Sequence, residues 1–152
     1  MSDEAAKLDF AEDYWRRFWD FRKIEAAYVS QVPYDWSHEE FALLRDAERC
    51  YASKAYYACL VLAQSVIEIH LRRIHGLKGQ AAKLFQRAGI KSELDWLNKI
   101  RNDILHGNPN SIVSYGITEE EESLLEQYCK RAIHLMHGIP VSLYMEASEE
   151  SE

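Results

Sequence analysis

An all-α fold, a single-domain bundle of four to five helices with a long central one, follows from three features of the sequence. Apolar residues recur at helical spacing over most of the chain, and capping residues stand where that periodicity starts and stops. The turn formers that an all-β fold needs are scarce, with six Gly and three Pro in 152 residues. A composition of 47% hydrophobic and 28% charged residues suits one core and leaves little room for a second. The helical domain is expected to cover residues 1–145, with 146–152, EASEESE, as an acidic disordered tail.

The first helix is expected from about Asp9 to Ser30, ending before Val32-Pro33 because proline cannot continue it. Its bulky residues Phe10, Tyr14, Trp15, Phe18, Trp19, Phe21, Ile24 and Tyr28 cover about half the helix circumference, more than one small core takes up. Either part of that stripe meets a partner subunit or two long neighbouring helices flank it.

Ser37 with Glu40 three residues on forms a capping box, and the helix it opens runs to Gly76. At ~1.5 Å per residue, about 38 residues reach ~57 Å, so a bend or break is expected although no Pro or Gly marks the place. Its centre, YASKAYYACLVLAQSVIEIHL, is apolar over most faces with small residues interspersed, as a central spine requires. The third helix is expected over Gly79–Ala88, with a stop at Gly89. In the fourth, Ser92 caps with Asp95 three residues on, and Gly107 with Asn108-Pro109-Asn110 closes it. Thr118 with Glu121 opens the fifth, expected to end at Gly138 before Pro140. The only strand-like run is SIVSYGI.

No apolar run approaches the ~18–20 residues that span a bilayer, and the start MSDEAAKLDF is acidic where a secretory signal would be basic and then apolar. Cys50, Cys59 and Cys129 are odd in number and form no CxxC pair, which argues against a disulfide framework or zinc knuckle. A cytoplasmic location with no membrane partner is expected. The net charge of −7 disfavours nucleic acid, but residues 66–110 carry +4, from eight cations including Arg72, Arg73 and Arg101 against four acids. That block either attracts an anion or is a solvated helical face.

The sequence holds no Gly-rich phosphate loop, no HExxH and no GxSxG. The nearest approach to a metal set, Cys129, His134 and His137, lies on an apolar C-terminal helix where such residues usually pack, so no metal or cofactor is expected. RNDILH, residues 101–106, stands apart. On the helical wheel Asp95, Asn98, Lys99, Asn102 and His106 share a polar face, opposite Leu94, Leu97, Ile100 and Ile104. Arg101 falls on the shoulder of the apolar side, where its guanidinium needs a carboxylate or an anion, and Glu68 on the spine is the internal candidate. His106 lies in the last turn before Gly107, where the negative end of the helix dipole favours an imidazolium. A guanidinium and an imidazole converging on one phosphate suffice for metal-free RNA cleavage, and Asn102 can hold the ring or a phosphate oxygen. Arg131 and His137 form a looser match, without the polar residue after Arg.

The spine with SVIEIHLRRI, a short helix, and then WLNKIRNDILHG resembles the HEPN superfamily of small all-α domains over roughly residues 37–138. The signature of that family is Arg, commonly a polar residue, a few more positions and then His. The resemblance implies a four- or five-helix bundle, often a homodimer whose two Arg/His motifs share a cleft. For active members it implies metal-independent endoribonuclease activity, frequently in toxin–antitoxin or host-defence systems with an antitoxin or other protein partner. Arg101 and His106 match the catalytic positions, Asn102 the frequent polar one, and Glu68 resembles the acidic residue of the preceding long helix. In one branch a tyrosine two places after the motif His is modified by a partner enzyme. That position is Asn108 here, so such modification is not expected. The expected function is therefore a dimeric endoribonuclease with RNA as substrate. The alternative is a non-catalytic helical dimer that binds a protein or a nucleotide.

Overall fold

The computed structural model describes residues 2–32, 36–76, 78–107 and 118–151, with His75 described by its backbone alone. The described residues form six helices and no strand: α1 (Asp3–Val29), α2 (His38–Ala52), α3 (Tyr56–His75), α4 (Ala81–Arg87), α5 (Lys91–His106) and α6 (Glu119–Glu149). This is the all-α bundle the sequence predicts, with six helices in place of four or five. Pro33, the Asn108-Pro109-Asn110 closure and the SIVSYGI run lie outside the described residues.

Both expected capping boxes are present. At α2 the Glu40 N–H donates to Ser37 Oγ at 3.1 Å and the Ser37 N–H donates to Glu40 Oε2 at 2.7 Å. At α6 Thr118 and Glu121 make the same reciprocal pair. Glu40, fully buried, also accepts from Arg73 Nη2 at 2.8 Å, so one carboxylate caps α2 and ties it to the last turn of α3.

The expected long second helix is two helices. The Lys54 N–H bonds the Tyr51 carbonyl and the Ala55 N–H bonds the Cys50 carbonyl, which is a Schellman closure with Lys54 in the left-handed position at φ 65°. Glycine usually occupies that position, and because Lys54 takes it here no Gly or Pro marks the break in the sequence. Lys54 Nζ is held instead by Asp13 Oδ2 at 3.2 Å and Glu122 Oε1 at 2.7 Å. α3 is the spine, packing against α2, α6, α5 and α4. Its Cys59, Leu60, Ala63, Ile67 and Leu71 are buried at the centre of the core.

Other boundaries differ from expectation, and α4 begins at Ala81 rather than Gly79. α1 begins at Asp3, capped by Ser2, whose Oγ accepts from the Ala5 N–H, with Asp3 and Glu4 favourably placed in the first turn. α5 begins one residue before Ser92, which is not its cap. Ile90 takes the N-cap position without a side-chain bond, and Ser92 Oγ donates to Glu93 at 3.1 Å. α6 does not end at Gly138 but continues through Pro140 to Glu149, so residues 146–149 of the expected acidic tail form its last turn. Burial of Ile139, Val141 and Leu143 carries the helix past the proline. Gly138 serves close packing, since a Cβ there would stand 3.1 Å from the Tyr28 ring.

The aromatic stripe of α1 divides in two. Arg17 and Phe21 are buried against the body of the protein and Ile24 packs on its core, as α1 lies on α2 and α6. Trp15 and Trp19 stay more than half exposed.

Candidate anion-binding cleft

α5 is held in place by its apolar face. Leu94 and Leu97 are fully buried, Ile100 and Ile104 pack on the core, and the Arg131 guanidinium of α6 lies 4.2 Å over the Trp96 ring. The helix closes at Gly107, left-handed at φ 62°, whose N–H bonds the Asp103 carbonyl. This closure leaves His106 in the last turn, facing a cleft.

The cleft has a volume of about 440 Å³ and lies between α3, the start of α4 and α5. All four residues singled out in the sequence, Glu68, Arg101, Asn102 and His106, line it, together with Arg72, Gln80 and Asn98. The expected pairing inside it is not made. Glu68 Oε1 accepts from Gln64 Nε2 at 2.8 Å and Oε2 accepts from Arg72 Nη1 at 3.2 Å, so Glu68 is satisfied from its own helix rather than by Arg101. Gln64, Glu68 and Arg72 recur every four residues on one helical face, which makes this arrangement local. Gln64 Nε2 also reaches Asn98 Oδ1 at 3.0 Å and so joins α3 to α5.

Arg101 is left without a carboxylate among the described residues. Its Nη1 donates to Asn102 Oδ1 at 3.2 Å, and its Nε is buried with no hydrogen-bond partner. A guanidinium has five donors, and one amide oxygen leaves most of them unused. The His106 ring is exposed at the cleft wall. The remaining cations of the positive block are partly committed elsewhere: Arg73 to Glu40, Lys99 to Asp103 at 2.9 Å, and Lys91 to Asp95 at 3.7 Å.

The looser Arg131/His137 match does not converge. Arg131 covers Trp96, whereas His137 is buried among Phe21, Tyr28 and Trp36. Burial pushes the His137 imidazole down to about 4. Cys129 Sγ donates to the Tyr56 carbonyl, and His134 Nδ1 lies 3.1 Å from the Tyr28 hydroxyl. Among the described residues no group of three or more His, Cys, Asp or Glu is placed to hold a metal ion. No helix of the described residues is long and apolar enough to cross a membrane.

Sequence reasoning missed Arg72 as a member of the cleft and Gln64, buried behind it, as a partner of Glu68. The four-residue spacing through Glu68 was the available signal. In comparisons with known proteins, no family model, curated protein or solved structure matches the chain.

Proposed function

We propose that the protein is a metal-independent endoribonuclease of HEPN type. Two copies would bring Arg101 and His106 into one shared cleft, with RNA as substrate and a toxin or host-defence role that includes an antitoxin-like partner. The observation that carries this reading is the Arg101 guanidinium, which has no carboxylate partner among the described residues and lines the same cleft as the His106 imidazole. A polyanion supplies what that guanidinium lacks, and a phosphodiester is the anion that an adjacent imidazole can act on.

In the reaction, one imidazole takes the 2′-OH proton and O2′ attacks the adjacent phosphorus. Arg101 stabilises the charge that builds on the non-bridging oxygens. The P–O5′ bond breaks, and O5′ leaves with a proton from the imidazolium of the second copy. The products are a 2′,3′-cyclic phosphate and a 5′-hydroxyl. Asn102, bonded to Arg101, orients the guanidinium, and the Gln64–Asn98 bond fixes α5 against α3.

A second reading, a non-catalytic helical dimer that binds a nucleotide or protein, draws on the exposure of His106, whose ring makes no hydrogen bond among the described residues. Incubation of purified protein with mixed RNAs, with and without EDTA, separates the two. Fragments ending in 2′,3′-cyclic phosphate, formed in EDTA and absent with His106→Ala, support the endoribonuclease. RNA or nucleotide binding that is lost in Arg101→Ala, with no cleavage by the wild type, supports the binding module.

A further inference from the structure

The outer face of α1 leaves apolar side chains uncovered by the other described helices. Leu8, Trp15 and Trp19 are 62%, 52% and 56% exposed. With Ala26 they are spaced seven, four and seven residues apart, one continuous stripe on the side away from the buried Arg17 and Phe21. Phe18 is half-buried between the two indoles, with edge contacts to both. Two exposed charges, Glu12 and Lys23, flank the same edge of this stripe, and neither makes an ion pair among the described residues. α1 packs on α2 and α6 while α5 packs on α3 and α4, so this face is separate from the Arg101 cleft.

We infer that this face binds a second copy of the chain, α1 against α1 and antiparallel, about a twofold axis near residue 17. The sequence of the face is self-complementary in that register. Leu8 falls opposite the small Ala26 of the second copy and Trp15 falls opposite its Trp19. Helices packed antiparallel bring like edges together, so Glu12 meets Lys23 within one residue, twice by symmetry. A parallel pairing would bring opposite edges together, leaving Glu12 and Lys23 without each other, and would align the two helix dipoles unfavourably. The inference does not depend on the endoribonuclease reading, because the cleft contributes nothing to this contact.

Sedimentation of the full chain from about 1 to about 100 micromolar tests it. The expected result is self-association that Trp15→Glu/Trp19→Glu weakens at least ~100-fold while the circular dichroism spectrum is unchanged. Glu12→Lys and Lys23→Glu should each weaken association about tenfold, and the double reversal should restore it to within about threefold. A wild type that stays monomeric over this range, with or without affinity for lipid vesicles, overturns the inference. So does a mass unaffected by the tryptophan pair, or a double reversal no better than either single one. RNA cleavage is read separately: its absence leaves the sedimentation result standing, whereas association unaffected by the tryptophan pair overturns this contact and leaves the shared cleft standing.

Discussion

Arg17 Nε lies 2.9 Å from the carbonyl oxygen of Ala52, inside a side chain that is 1% exposed. The carbonyl belongs to the last residue of α2, where helical partners have run out, so a guanidinium from α1 satisfies the end of a neighbouring helix. The same guanidinium bonds Asp13 at 2.6 Å and holds that carboxyl well below the usual carboxylate range. Asp13 in turn holds Lys54, the left-handed residue of the break. α1 thus stabilises the interruption that turns one long helix into two.

Arg17→Ala should therefore be severely destabilising. It leaves a buried carbonyl without its donor, opens a cavity and removes the main partner of Asp13. The expected loss is about 3 kcal/mol or more in urea unfolding, with Arg17→Lys recovering less than half because an ammonium lacks the fork geometry. A loss under about 1 kcal/mol would show that the Ala52 carbonyl does not depend on Arg17.

Arg101→Ala should behave in the opposite way. Glu68 keeps both Gln64 and Arg72 when Arg101 is removed, so no buried carboxylate is stranded. Stability should change by less than about 1 kcal/mol while RNA cleavage, or nucleotide binding in the second reading, is lost. A large drop in melting temperature would mean that Arg101 is a structural cation.

His137 should make the protein acid-sensitive in a definite window. Burial holds its folded value near 4, against an ordinary 6.5, so the unfolded chain takes up this proton first as pH falls. The contribution is fully present above pH 6.5 and is lost progressively toward pH 4. The loss should be on the order of 3 kcal/mol, measured by urea unfolding at neutral and acid pH. His137→Leu should flatten the slope in that window. The contribution of Asp13, a lowered carboxylate, is present above its unfolded value and fades only at lower pH. An unchanged slope in His137→Leu would assign the titration to another group.

The sequence by itself determined what depends on neighbours within one helical turn. The two capping boxes, the Gly107 stop, the buried face of Leu94 and Leu97, and the placement of Asn102 and His106 on one polar face all follow from spacing along the chain. The candidate residues gathered in one cleft because α5 has a single apolar face to bury, against the α3 spine that carries Glu68. Tertiary structure decided the rest. Lys54 adopts a left-handed conformation without being glycine because Asp13, Glu122 and the Arg17 cap hold it from other helices. Gly138 and Pro140 stand inside α6 because the Tyr28 ring needs the space and the residues around the proline are buried. Glu68 is satisfied by Gln64 and Arg72 rather than by Arg101, and only the fold sets which donors reach a carboxylate first. Capping is a contest between groups a few residues apart, which sequence spacing resolves. Helix breaks and ion-pair partners are settled by side chains arriving from distant segments, and spacing along the chain carries no record of those.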